Sequence, residues 1–409
     1  MDITDASGIA GKPYSDLAQP GSAAVARPRQ KISLELFDEL ESVCDDWQAL
    51  EAEAVCTPFH TYAWTHAWRT HVESANQGRT AIVVGRDDNG VVQVIFPLAL
   101  RKHGPVTILE WLAGEHATYT GGLFRPSFLN QFSKTEFLIL WSRVVALLPP
   151  FDIVQFLSQV PMIDGQFNPT THLGARANAS PYFCITIDAE WKELHRQRRS
   201  KSTRRSERRR ERQLNEIGPM KFETHFEGPA LAQATEVMFK QRSARFGEQG
   251  IHDFLSDAGV ADFYRALTKM STRSHGIEGF VSSLSVGDTM AAGLLNLIHK
   301  NKNYALVSSM TTDKTLRKSS PGEILMRHTL KYCCETGLEA YDCGGGYDIY
   351  KDSWSDIKFH TADTVAPQTM LGSAYAGSYN GFLMAKSHIK QSPVLWKTFK
   401  TLRKLGFWS

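Results

Sequence analysis

The stretch SSPGEILMRHTLKYCCETGLEAYDCGGGYDIYKDSW, residues 319–354, reads as a helix, a strand and a glycine-rich turn in succession. Ser320 suits an N-cap, Pro321 the first helical position, and Glu323 completes a capping box. Leu325, Thr329, Tyr332 and Cys333 give a helix over Pro321–Thr336 one inward face, and LEAYDCG then reads as a strand. The loop before the helix holds Arg317, Lys318, Ser319 and Ser320. Free amides, the positive end of the helix dipole and two cations make a phosphate site; a plainly capped helix is the alternative. A P-loop is excluded, because GxxxxGK[ST] is absent. After the strand, Gly344, Gly345 and Gly346 let a substrate approach backbone amides. Asp342 and Asp348 can serve as a general base or bind an amine, and Tyr350 as a general acid. Solvated turn carboxylates and a half-buried tyrosine are the plainer reading of the same residues.

Outward from this stretch, the second half shows three strands, IEGFVSSLSV, MAAGLLNLIH and NYALVSSM, ahead of the helix. The first half has the same order. TAIVVGRD, VVQVIFPLAL and VTILEWLAG are strands, the first two joined at Asp87–Gly90; a helix over 131–148 and the strand FDIVQFL follow. The chain therefore carries a strand-strand-strand-helix-strand unit twice, without visible identity between the copies. Order is expected to begin near Leu34; Phe37, Leu40, Val43, Trp47 and Leu50 predict one face of a helix, and Tyr62, Trp64 and Trp68 a second short one. Between the halves lie the strand YFCITI, a basic helix over 191–217, and helices near 230–246 and 256–273. The expected organisation is a disordered tail over 1–30, an N-terminal domain over 31–190, and a helical connection over 191–275. A C-terminal domain over 276–370 and a basic amphipathic helix over 371–409 follow. At 409 residues, 42 % apolar and 22 % charged, this is a folded α/β protein of more than one domain.

The net charge of +3 hides two basic segments. Arg196–Arg212 carries +8 and the chain after Asp363 carries +6, leaving −11 for the rest. No Gly or Pro interrupts 190–217, so one long helix is expected, with Arg204, Arg208 and Arg212 in line beside Arg205 and Arg209. Such a face is either simply solvated or binds anions such as nucleic-acid or CoA phosphates. Interleaved aromatics are missing, which argues against a defined nucleic-acid platform. The helix expected over 382–405 sets Leu395, Trp396, Phe399 and Leu402 against lysines. That suits peripheral contact with an anionic membrane, or docking on the second domain.

The six cysteines show no CxxC pair, and HExxH, GxSxG and GxGxxG are absent. Zinc ribbons, zinc hydrolysis and hydride transfer are disfavoured, and no metal is expected. Scattered single cysteines, no apolar N-terminal run and no sufficient membrane span lead to a cytoplasmic expectation, with or without peripheral membrane contact.

The chain resembles the CelD-like acetyltransferases of the GNAT superfamily, found among cellulose and exopolysaccharide biosynthesis proteins. FHTYAWTHAWRTH resembles their aromatic first helix, IFPLALRKHGPVTILEWLAG their first-domain hairpin, and RRSKSTRRSERRRERQ their arginine-rich helix. The block at 319–354 is the most specific match. The resemblance implies mixed sheets flanked by helices in two tandem GNAT-like domains, the double-domain architecture of the Fem-type transferases. It implies an acyl-CoA (acetyl-CoA) cosubstrate bound by Arg317, Lys318, Ser319, Ser320 and Gly322. Catalysis falls to Asp342 and Tyr350. Substrate contacts fall to Gly346, Lys351, Arg204 and Arg208, and to Tyr119 in the loop GEHATYTGG. The implied activity is acyl transfer to an amine, on a small-molecule or saccharide acceptor in polysaccharide or envelope biosynthesis. An aminoacyl-tRNA-dependent transferase and a non-catalytic accessory protein at the membrane surface are the alternatives.

Overall fold

Runs of Val, Ile and Ala at 80–84 and 92–99 are broken by Asp87-Asp88-Asn89-Gly90, and the chain folds there into an antiparallel hairpin. Asp87 Oδ1 accepts the amides of Asn89 and Val91 at 2.9 Å, and Gly90 takes the left-handed φ of +80° that the turn requires. The computed structural model describes residues 31–73, 78–129, 133–163, 165–271 and 275–391. Among these the chain divides into two compact units, the first holding 31–181 and 359–387, the second 182–358 and 388–391.

In the first unit, β1 (Ser33–Phe37), β2 (Arg79–Arg86), β3 (Val92–His103) and β4 (Val106–Trp111) pair antiparallel in sequence order. Helix α1 (Cys44–Glu53) and helix α2 (Tyr62–Trp68) lie between β1 and β2 in the chain. After β4, helix α3 (Lys134–Leu147) crosses over to β5 (Ile153–Gln159), parallel to β4. Ser133 caps α3 in a complete capping box with Glu136. Phe137, Leu140, Trp141 and Val144 of α3 pack on Phe96, Trp111 and Phe156 to make the core. β6 (Arg176–Thr186) begins in this unit and ends in the other.

In the second unit, helix α4 (Trp191–Arg198) and helix α5 (Lys201–Ile217) lead to β7 (Met220–His225). Helix α6 (Gly228–Gln249) and helix α7 (Val260–Thr268) follow. β8 (Ile277–Val286), β9 (Thr289–His299) and β10 (Lys302–Met310) then pair antiparallel, with β7 outside β8. Helix α8 (Pro321–Glu335) crosses to β11 (Ala340–Gly345), parallel to β10 and antiparallel to the end of β6. Helix α9 (Ile349–Trp354) and β12 (Ile357–Pro367) come next; β12 carries the chain back to the first unit, where it pairs with β5, and helix α10 (Met370–Gln391) follows. The result is a mixed α/β fold with the strand-strand-strand-helix-strand order twice.

Several expectations are corrected. Leu34–Phe37 is strand, because it pairs with Ile82–Gly85, and the helix starts at Cys44. The basic helix is two helices. Arg199 is extended (φ −130°, ψ 126°), its side chain reaching Glu207, Ser353 and Glu323, while Ser200 Oγ caps α5 at the Thr203 amide. The first-unit boundary falls at Pro181 and not at 190, and 191–275 belongs to the second unit. Residues 359–370 join the first unit through pairing of β12 with β5. The tail over 1–30 and the chain from 392 on, with Leu395, Trp396, Phe399 and Leu402, lie outside the described residues. Among the described residues no helix is long and apolar enough to cross a membrane.

Candidate active site

β10 and β11 pair at only three positions, Lys302↔Ala340, Asn303↔Tyr341 and Tyr304↔Asp342, and beyond them the ladder stops. Each strand carries a register shift where they part. On β10 the shift lies between the partners Ala305 and Val307, and on β11 between Asp342 and Gly344. Bulges bend strands and re-aim side chains, so the parting is built into the backbone. The glycine triplet suits it. Gly344 and Gly346 have φ of +70° and +89°, and a Cβ on Gly345 would lie 2.8 Å from the Tyr182 ring.

Asp342 sits at the last pair before the strands part, with its side chain 2 % exposed. Its Oδ1 accepts the Gly344 amide at 2.8 Å and its Oδ2 lies 3.4 Å from Lys302 Nζ. Burial pulls the Lys302 ammonium down, but the Asp342 carboxylate outweighs it and holds Lys302 well above its usual range. Burial pushes the neighbouring Cys184 thiol up to about 12. Both Asp342 oxygens are thus engaged in fixing the bulge. The expected base at this position is a carboxylate that already holds two partners. Lys351, expected to bind an anionic substrate, instead donates to the Gly345 carbonyl at 2.9 Å and lies 3.8 Å from Asp348. It braces the glycine turn.

Tyr350, on the first turn of α9, is half-buried against the second-unit core. Burial, helped by the negative charge of Asp348, raises its phenol well above the ordinary value, so it stays protonated at neutral pH. Asp348 precedes α9 and is exposed.

The start of α8 differs from the expected capping box. Ser320 is left-handed (φ 54°, ψ 59°) and makes no side-chain cap. Glu323 turns instead to Arg199 and Arg210. Its carboxylate is occupied by guanidinium groups and is unavailable to the backbone. Arg317 and Lys318 end a short helix (Lys314–Arg317) capped by Asp313. Lys318 is exposed, Ser319 is buried, and Arg317 lies 3.6 Å from Glu248. A Cβ built on Gly322 meets nothing within 4 Å, so the first turn of α8 faces open space. These residues fit a phosphate-bearing ligand through the Gly322 amide, the open first turn and two cations; the Glu323 and Ile324 amides already donate to the Ser320 carbonyl.

Arg317, Lys318, Ser319, Ser320 and Gly322 are thus gathered at the start of α8, and Asp342, Gly346, Tyr350 and Lys351 at the end of β11. Tyr119 is not among them. It is 2 % exposed in the first unit, its ring 5.7 Å from Phe59 and 5.8 Å from Phe359. Its ring packs among aromatic side chains and does not join the residues gathered around α8 and β11.

On α5, Arg208 is exposed and Arg204 half-buried. The inner face of that helix holds an ion network that sequence reasoning missed. Glu207 binds His195 at 2.7 Å, Arg199 at 2.9 Å and Arg327 at 3.1 Å, and Glu211 binds His328 and Arg327. The two acids of the arginine run point inward, and Lys201, Arg205, Arg208, Arg209 and Arg212 are left outside. The other residue missed is Arg245 of α6; the only signal in the sequence is its spacing of three from Arg242 and Glu248.

Residues 201–352 match the family model of the acetyltransferase (GNAT) domain. No curated protein matches the sequence significantly. Among solved structures, the chain is similar to the C-terminal domain of a putative lysylphosphatidylglycerol synthetase from Agrobacterium fabrum, with TM-score 0.50 and 12 % identity over 86 % of this chain and 98 % of that one. It is also similar to FemX, with TM-score 0.49 and 13 % identity over 75 % and 96 %. A tandem GNAT protein from the clavulanic acid biosynthesis pathway gives TM-score 0.43 and 11 % identity over 82 % and 98 %. At these identities the likeness is one of fold. Among the described residues no group of three or more His, Cys, Asp or Glu is placed to hold a metal ion.

Proposed function

We propose that the second unit transfers an acyl group from acyl-CoA to an amine. The observation that carries this is the parting of β10 and β11 at paired bulges, beside the open first turn of α8. The cleft has a phosphate-binding end, formed by the Gly322 amide with Arg317 and Lys318, and strand edges along which an extended thioester can lie. The amine attacks the thioester carbonyl carbon, the C–S bond breaks, and the departing thiolate takes a proton. Tyr350, kept protonated by burial, supplies that proton, and the proton the nitrogen sheds on becoming an amide returns through water to the phenolate. Exposed Asp348 attracts the ammonium form of the acceptor, whose proton passes to water before attack. Asp342 holds the bulge through Gly344 and Lys302. The motif resemblance supports placing the reaction in polysaccharide or cell-envelope synthesis, with a saccharide or small-molecule amine as acceptor.

Calorimetry with acetyl-CoA, run beside total aminoacyl-tRNA, tests the donor. Acetyl-CoA binding, with CoA release in the presence of amines, is the expected result. Gly322→Val places a branched side chain in the open first turn of α8 and should weaken acetyl-CoA by about tenfold without altering the fold. Tight binding of tRNA and none of acetyl-CoA would select the aminoacyl-tRNA reading, which the outward cations of α5 favour. Binding of neither donor would leave the accessory role.

A further inference from the structure

α6 lies along the end of β10. Arg242 Nη1 donates to the Ser308 carbonyl at 3.3 Å and Gln241 accepts from Ser309 Oγ at 3.1 Å. Two turns further, Glu248 lies 3.6 Å from Arg317, just before α8. Positions three apart on a helix share a face, so Arg245 sits between these two contacts and is directed at the mouth of the cleft. Its neighbours' charges are satisfied. Arg242 binds Asp253 at 2.9 Å and stacks on Phe246 and Phe254, and Arg317 has Glu248. Arg245 has no such partner. Its Nε is buried without a hydrogen bond, and among the described residues no carboxylate pairs with it.

Burial, together with the positive charges of Arg317 and Arg242, pulls the Arg245 guanidinium below its usual range. Asp348 and Tyr350 act on it from the β11 side in the opposite sense. A half-buried guanidinium facing two others is an unfavourable arrangement until an oxyanion joins it. We infer that Arg245 is an anion-binding residue of this cleft, taking a phosphate or carboxylate group of a bound substrate with its planar fork. The inference deepens the acyltransferase reading and rests on the same cleft. The oxyanion is either a phosphate of the donor or an acidic group on the acceptor.

Inorganic pyrophosphate is the first probe. By calorimetry, R245Q should bind it about tenfold more weakly than the unaltered chain, or worse, while R245K recovers part of the loss. Unchanged melting of both variants is expected of a half-exposed position. Equal affinity in R245Q, or no pyrophosphate binding by the unaltered chain, overturns the inference. Two further arms locate the source. Weaker acetyl-CoA binding in R245Q assigns the arginine to the donor. Unchanged acetyl-CoA binding with loss of glucosamine 6-phosphate, but not glucosamine, as acceptor assigns it to the acceptor. Should the chain take pyrophosphate through Arg245 yet bind no acetyl-CoA, the acyltransferase reading falls and the anion site stands.

Discussion

Tyr350→Phe removes one hydroxyl from a half-buried ring and leaves its packing in place. If that hydroxyl protonates the leaving thiolate, turnover should fall by roughly 10²–10⁴-fold with acetyl-CoA affinity unchanged, read by steady-state CoA release beside calorimetry. Retained turnover assigns the ring to packing alone. Asp342→Asn separates the two roles considered for that carboxylate. Neutralising one partner of a buried ion pair leaves Lys302 uncompensated and should lower stability by up to about 3 kcal/mol, seen as a shifted urea midpoint. The pH dependence of whatever turnover remains should match that of the unaltered chain. A lost acidic limb in that profile would restore Asp342 as a base.

The break between α4 and α5 is held by charges that run against their composition. Burial raises the Glu207 carboxyl, but His195, Arg199 and Arg327 overcome it and hold the group at about 2. A carboxyl depressed from 4.5 to about 2 stabilises the fold fully above about pH 4.5 and loses that contribution as pH falls toward 2, up to about 3 kcal/mol. Urea midpoints at pH 6, 4 and 3 should drop more steeply for the unaltered chain than for Glu207→Gln. Exposed Arg205, Arg208 and Arg209 together with half-buried Arg204, all changed to Gln, should leave acetyl-CoA binding nearly intact. Filter binding of total tRNA decides the second reading: a steep loss between about 50 and 200 mM salt, abolished in the quadruple variant, would favour RNA.

This helix pair also marks where sequence reading stops. The strands at 80–100 and 277–310, the helix at 321 and the glycine turn are legible because periodicity, turn residues and Pro/Gly are local signals. The break at Arg199 is not, since two of the groups that hold it, Ser353 and Glu323, lie far along the chain. The capping box at Ser320 fails for the same reason: Glu323 is claimed by Arg199 and Arg210. Strand Leu34–Phe37 looked helical because only its partner at Ile82–Gly85 defines it. In the site, the proposed phosphate end is legible at 317–322, while the engagement of Asp342 and the exposure of Arg245 depend on which strands and helices meet.

At the scale of the whole chain, the two units are built from interleaved segments. The greater part of strand β12 and of helix α10 belongs to the first unit, whose other residues end at Pro181. Asp363 of β12 accepts the Ser158 amide and the Asn178 side chain at 2.8 Å each, and Gly372 packs directly on the Asp152 carbonyl. A chain ended after Lys358 should therefore keep acetyl-CoA binding and expose the first unit to limited proteolysis. The same nesting sets an order of events on the ribosome. The second unit has its core segments by Lys358, but the first waits for residue 387. At about 5–20 residues per second, the stretch from 182 to 387 takes roughly 10–40 s to emerge. Until β12 emerges, complete at Pro367, β5 lacks that neighbour and presents an open edge to other nascent chains. Solubility in a cell thus depends on translation speed over 182–387 and on chaperones that shield the waiting half.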